Sequence, residues 1–272
     1  MATQPSPLAQ YESSEPLKVR IETHRKYEER SIDLDRECRD RLELAGPESV
    51  LDIGCGPGDF LKYLREAGHQ GDLTGVDNSK AMIAELLETT ADCKPGIEGI
   101  VADASDLPVQ DQAVDRVTAR HMLYHVSDVS KALAEFQRIL KPGGILLLTT
   151  NSRDSLSRIH ALLGEMLFSH DFEPDPLPDA AFVIENAPEI LAEAGLEAEE
   201  TVLENALVFT DHEPIVAYCA STFQSLDIPQ DPDLFQELES WLDAEAARRL
   251  NAMDGVWHDP KNVGIYVVRK PS

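Results

Sequence analysis

The chain has 272 residues, 42% hydrophobic and 27% charged, enough to bury a core as one large domain or a core with a cap. Fifty acidic against 24 basic residues leave a formal net charge of -26. That field repels phosphate backbones and argues against nucleic acid as a partner.

No apolar run approaches the length of a membrane span, and residues 1–10 lack a signal-peptide core. The expectation is a cytoplasmic protein with no membrane partner. Residues 15–44 are highly charged and read as two helices, with Arg20, His24 and Tyr27 on one face of the first. From about residue 49, short apolar runs alternate with amphipathic stretches, the pattern of βαβ units around a parallel sheet. Strands are expected over 49–53, 73–76, 99–102, 115–119 and 145–150. Before the last of these, Val129, Leu133, Phe136 and Leu140 form one buried helix face. Asp128 is placed to cap that helix, and Lys141-Pro142-Gly143-Gly144 to stop it. A further amphipathic helix carries Leu156, Ile159, Leu163 and Met166, followed by a proline-rich acidic loop over 171–179. Residues 189–194 read as a helix ended by Gly195. Alternation over 201–209 and 263–268 predicts two more strands, with helical segments near 214–223 and 234–250 between them. The resulting division is an N-terminal helical segment, 1–45, and a domain over 46–272 with cap insertions at about 155–185 and 213–255. The four cysteines are scattered without a CxxC pair, so neither a disulfide framework nor a metal site is expected.

The strongest local signal is Val50-Leu51-Asp52-Ile53-Gly54-Cys55-Gly56-Pro57-Gly58, an apolar strand running into a glycine loop. Glycines belong there because the chain turns sharply and a ligand must approach the backbone. Asp77 ends the next strand about twenty residues on, where a ribose-binding carboxylate belongs. Asp103 ends the third strand, and carboxylates accept hydrogen bonds from a vicinal diol or an adenine amino group. A dinucleotide is the competing ligand. Its fingerprint, G-x-G-x-x-G, sets a helix N-terminus against a pyrophosphate. Here Asp59 stands where the last glycine would be, and Asp52 adds a second negative charge beside the loop. Those charges suit a cationic ligand.

Together these motifs resemble those of the class I S-adenosylmethionine (SAM)-dependent methyltransferases, in the subgroup that contains quinone-biosynthesis and natural-product enzymes. The first motif is 50–60. Gly75-Val76-Asp77-Asn78-Ser79 with Met82 is similar to the second, and Asp103-Ala104-Ser105-Asp106-Leu107-Pro108 to the third. Ile139-Leu140-Lys141-Pro142-Gly143-Gly144 resembles the last core motif. The resemblance is strong over 49–151 and weak beyond. It implies a Rossmann-like α/β fold: a seven-stranded, mostly parallel sheet with helices on both faces, its last strand antiparallel, plus a helical cap. It further implies SAM as cofactor, with Gly54, Cys55 and Gly56 contacting the methionyl group by backbone. Asp77 would grip the ribose, and Asp103 and Ala104 would read the adenine, with Asn78 and Ser105 as further cofactor-binding residues. Asp52 and Met82 belong to the same motifs. Tyr11 and Arg20 are the candidates for the SAM carboxylate, against a plain solvated helix.

The fourth strand ends in Arg120-His121-Met122-Leu123-Tyr124-His125, at the strand end where ligands lie in such sheets. If a helical turn begins there, His121 and His125 stand at i and i+4 with Tyr124 beside them. Any of the three could take a proton from an oxygen or nitrogen acceptor. His121 also borders the cofactor in this reading. The (Asp/Asn)-Pro-Pro-aromatic run that base-methylating enzymes share is absent: the sequence is Ala119-Arg120-His121-Met122. The function expected is methyl transfer from SAM to an O, N or C atom of a small organic molecule. Two rivals are other chemistry by a SAM-binding protein of the same fold, and a non-catalytic SAM-binding or partner-binding module.

Overall fold

The computed structural model describes residues 15–173 and 181–272. In chain order the elements are α1 (Glu15–Tyr27), α2 (Leu34–Arg41), β1 (Val50–Ile53), α3 (Asp59–Glu66), β2 (Leu73–Asp77), α4 (Lys80–Thr89), β3 (Ile97–Val101) and β4 (Val114–Arg120). Then follow α5 (Val129–Ile139), β5 (Leu140–Asn151), α6 (Ser157–Ser169), α7 (Ala187–Glu193), β6 (Ala198–Leu203) and β7 (Ala206–Phe209). The chain ends with α8 (Glu213–Ala220), α9 (Pro232–Ala252), β8 (Trp257–Pro260) and β9 (Val263–Arg269).

The chain divides into two compact units. One holds Asp33–Ser152, 181–203 and Val263–Ser272; the other holds 15–32, 153–173 and Glu204–Asn262. α1 and α2 are consecutive in sequence, yet they bury their apolar residues in different cores: Tyr27 in one, Cys38 in the other.

The first unit is a seven-stranded sheet of order β3-β2-β1-β4-β5-β9-β6. β1 to β5 run parallel, and β9 pairs antiparallel with both β5 and β6. This is the Rossmann-like α/β arrangement. The run Ile145-Leu146-Leu147-Leu148 shows why the central strands are apolar throughout. Leu146 and Leu148 enter the cluster that holds Leu133 and Phe136 of α5, while Ile145 and Leu147 enter the one that holds Phe60 and Leu64 of α3. A strand covered on both faces has no side left for polar residues. α5 starts as expected, with the Asp128 carboxylate accepting a hydrogen bond from Lys131 N at 2.9 Å. Its buried face is Ala132, Leu133, Phe136 and Ile139.

Gly58 caps the start of α3 with φ +87°, and a Cβ built on it would lie 2.0 Å from Cδ1 of the buried Leu86. Gly58→Ala combines left-handed strain with overpacking, so a loss of about 2 kcal/mol in unfolding free energy is expected. Urea unfolding of the two proteins measures it, and an unchanged midpoint would refute the packing account.

The second unit has its own core. Leu162, Leu163, Met166 and Leu167 of α6 are buried there with Tyr218, Phe223, Leu238, Leu242 and Trp257. The single strand expected over 201–209 is in fact two, in different sheets: β6 in the large sheet, β7 paired with β8. Asn205 makes the break. Its side-chain oxygen accepts from Ala206 N and Arg30 N at 2.9 and 3.1 Å, and its amide donates to Arg30 O at 3.0 Å. A side chain that replaces ladder partners in this way ends a strand without glycine or proline. β8 was not foreseen either. It carries Asp259, fully buried, which accepts from Arg158 N, Ile159 N and Trp257 Nε1 and so caps α6.

Candidate cofactor site

The carboxyl ends of β1, β2, β3 and β4 are neighbours, so the residues that follow them lie along one edge of the first unit. This brings the glycine loop, Asp77, Asp103 and the segment after Arg120 to the same end of the sheet, where ligands of open α/β sheets bind. A concavity of about 800 Å³ lined by Gly46, Pro47, Gly68 and Gln70 lies at the opposite, amino end of these strands. By that rule it is not the ligand crevice.

Asp77 organises the site. Its Oδ2 accepts a hydrogen bond from Gly56 N at 3.0 Å and its Oδ1 from Ser79 N at 2.9 Å. The carboxylate thus ties the glycine loop to the start of α4, where Ser79 Oγ accepts from Met82 N. A carboxylate has about four acceptor positions, so capacity remains for a diol. Gly56 has φ +55°, and a Cβ built on it meets nothing within 4 Å: the loop is open there to an approaching ligand. Gly54, by contrast, lies against Met122, and Met82 is buried. Asn78 is exposed beside Asp77. Asp103 is exposed, its Oδ1 accepting from Ser105 N and Ser105 Oγ at 2.8 and 2.7 Å. Those bonds hold its carboxyl below the usual range, so it is an acceptor at neutral pH. Ala104 beside it is buried. A loop open at Gly56, flanked by acceptor-only groups, fits a ligand with a diol and a positive charge, which are features of SAM.

Cys55 is buried, and burial, with the nearby Asp52 and Asp77 charges, pushes its thiol far up. It stays protonated and is no nucleophile. Asp52 is 3% exposed and accepts from Thr118 Oγ1 at 2.6 Å. Burial raises its carboxyl to about 6, against the lowering influence of Arg120 and of the Thr118 hydrogen bond. The sign follows from linkage. A carboxyl whose folded pKa is raised favours the fold most below its unfolded value near 4, and that contribution is lost as pH climbs to about 6. At pH 7.5 the ionised side chain therefore costs on the order of 2–3 kcal/mol. Asp52→Asn is expected to raise stability at pH 7.5 by about 1–2 kcal/mol, less than the full cost because Arg120 loses a neighbouring charge. Denaturant unfolding at pH 7.5 and 5 checks it: a gain that does not shrink at the lower pH would refute the account. A cationic ligand should bind more tightly as pH rises through 6.

The segment after β4 differs from the expected helical turn. His121 has φ +49° and lies outside the short 3-10 turn, Leu123–His125. His121 and His125 are therefore not stacked at i and i+4. The reason is that His121 N still belongs to the sheet, donating to Thr149 O at 3.0 Å, so the chain must bend through a left-handed residue before it can turn. Tyr124 and His125 meet edge to face at 4.5 Å. Arg20 lies on α1, in the other unit from the glycine loop, and Tyr11 falls outside the described residues. The face of α1 that carries Arg20 is not simply solvated: His24 packs edge-on against Tyr218, and Tyr27 against Phe209. Arg120, which has no role in the sequence motifs, is the last residue of β4. Its Nη2 pairs with Asp35 at 2.7 Å and its guanidinium lies 4.0 Å over the Phe60 ring. Among the described residues no cluster of three or more His, Cys, Asp or Glu is placed to hold a metal ion, and no helix is long and apolar enough to cross a membrane.

Comparison with known proteins bears on this edge of the sheet. The family described as "Methyltransferase domain" matches residues 51–148. A demethylmenaquinone methyltransferase of Staphylococcus aureus is 37% identical over 108 residues, 39% of this chain and 44% of that protein. The chain spans between a third and a half of the length of the first curated relatives it matches. Among solved structures, a Bacillus halodurans C-125 protein superposes with a TM-score of 0.61 at 21% identity, over 88% of this chain and 99% of that one. A geranyl diphosphate C-methyltransferase from Streptomyces coelicolor A3(2), solved with S-adenosyl-L-homocysteine, gives 0.54 at 17% identity, over 95% and 81%. Residues 51–148, with their glycine loop and strand-end acids, therefore match the methyltransferase-domain family, and the fold around them is that of the solved methyltransferase structures.

Proposed function

We propose that the protein transfers the methyl group of SAM to an oxygen, nitrogen or carbon atom of a small organic molecule. The observation that carries this reading is Asp77, a strand-end carboxylate tied by one oxygen to the glycine loop and by the other to the next helix. Bound SAM supplies an electrophilic methyl group on a sulfonium. The chain's own work is then binding, alignment and, for an O–H or N–H acceptor, proton removal. Asp77 and Asn78 hold the ribose, and Asp103 with Ala104 and Ser105 holds the adenine. The backbone of Gly54, Cys55 and Gly56 holds the methionyl group, and Asp52 offers a negative charge toward its ammonium. A small acceptor is favoured over a nucleic acid by the net charge of -26 and by the sequence Ala119-Arg120-His121-Met122 after the fourth strand.

The test is to incubate purified protein with methyl-labelled SAM and a panel of small metabolites, following S-adenosylhomocysteine and labelled product. Labelled product formed in step with S-adenosylhomocysteine supports transfer. SAM consumed without label in the acceptor points to other chemistry, and SAM bound but never consumed points to a binding module. No binding of SAM overturns the proposal.

A further inference from the structure

Arg120 closes β4 one residue beyond the pair Ile53–Ala119, level with the start of the glycine loop. Its side chain shares a sheet face with that of Thr118, which touches Asp52, because strand residues two apart point the same way. Asp35 takes Nη2 at 2.7 Å, and Phe60, the second residue of α3 after the loop, lies flat beneath the guanidinium at 4.0 Å. Nε and Nη1 are closed off from solvent and have no hydrogen-bond partner. A guanidinium has five donors in a planar fork, and a buried donor left unmade is costly. The Asp35 pair uses only one edge of that fork.

What the fork lacks is a planar anionic acceptor. Asp52, on the same sheet face, is placed to attract a cationic group. A positive and a negative side chain side by side at the mouth of a ligand loop match a zwitterion, an amino-acid head group. The side chain of Arg120 keeps 17% of its surface exposed while Nε and Nη1 are closed off, so a ligand takes those two donors with a shift of the side chain.

We propose that Arg120 is a cofactor-binding residue that takes the α-carboxylate of SAM on its unfilled donors, with Asp52 beside it for the ammonium. This rests on the SAM reading above and deepens it. It assigns the carboxylate to the unit that holds the glycine loop. The Phe60 ring stacks on the guanidinium plane and leaves the edge of the fork to the ligand. Asp35 holds the side chain in place until the carboxylate arrives.

Calorimetry with two probes tests it. S-adenosylhomocysteine carries the amino-acid head group; 5′-methylthioadenosine has the same nucleoside and lacks that group. Arg120→Met should weaken S-adenosylhomocysteine binding by about 10- to 100-fold, with methylthioadenosine affinity within about twofold of wild type. Asp35→Asn frees the guanidinium and should leave S-adenosylhomocysteine affinity unchanged or higher. Equal losses for both probes would show that Arg120 only supports the loop, and would overturn the proposal. So would a folded Asp35→Asn protein that loses S-adenosylhomocysteine affinity, since the ion pair and not the ligand would then be what Arg120 serves. Wild-type protein that binds S-adenosylhomocysteine no better than Arg120→Met refutes this inference alone. Wild-type protein that binds neither probe refutes the SAM reading itself, and this inference with it.

Discussion

Asp77→Ala is expected to weaken binding of SAM and S-adenosylhomocysteine by about 100-fold while leaving the protein folded. Two effects combine. The ligand loses a charged acceptor for its diol, and a hydrogen bond to a charged group contributes roughly 1.5–3 kcal/mol. The apo site loses order as well, because Gly56 N and Ser79 N both donate to this carboxylate at 3.0 and 2.9 Å. About 2.7 kcal/mol corresponds to 100-fold at tenfold per 1.4 kcal/mol. Asp77→Asn should fall between, near tenfold. Its single carbonyl oxygen can replace one carboxylate oxygen, but its amide NH₂ would face a backbone N–H, donor against donor. Titration calorimetry separates the variants, with circular dichroism as the control for folding. Unchanged affinity in a folded Asp77→Ala protein would remove Asp77 from the site.

The second large effect is expected at His121. Removing a general base typically costs about 10²–10⁴ in rate. His121→Asn is the informative substitution, because asparagine tolerates the left-handed backbone found there, φ +49°, while removing the imidazole. Turnover of the true acceptor should fall by about 10²–10⁴, with S-adenosylhomocysteine affinity changed less than about threefold. His125, exposed at the end of its 3-10 turn, serves as comparison: His125→Ala should cost less than tenfold. A non-glycine residue held at positive φ beside a ligand loop is the observation that favours His121. If both variants turn over at near wild-type rates, proton removal is not the role of either histidine. Carbon methylation or an acceptor that is already ionised then becomes the better account.

Local chemistry made much of this protein legible in its sequence. Ile145–Leu148 lies in a strand because an apolar run buried on both faces has no polar alternative. Asp128 caps α5 because its carboxylate reaches an N–H three residues on, an interaction the sequence alone specifies. The glycine loop after β1 and the positions of Asp77 and Asp103 at the ends of β2 and β3 were readable for the same reason: each is set by residues next to it in the chain. Other features arise between residues far apart in the chain, where no periodicity records them. Asn205 ends β6 by bonding to Arg30, and Asp259 caps α6 from a strand about 100 residues later. His121 stays tied to Thr149 by a sheet hydrogen bond, so the helical spacing of His121 and His125 is never realised. Arg120 owes its unfilled donors to burial between Asp35 and Phe60, brought to it by α2 and α3. Short-range hydrogen bonds and hydrophobic alternation set the strands, helices and glycine loop. Long-range packing alone decided which charges were buried, which partners they met and which donors were left unpaired.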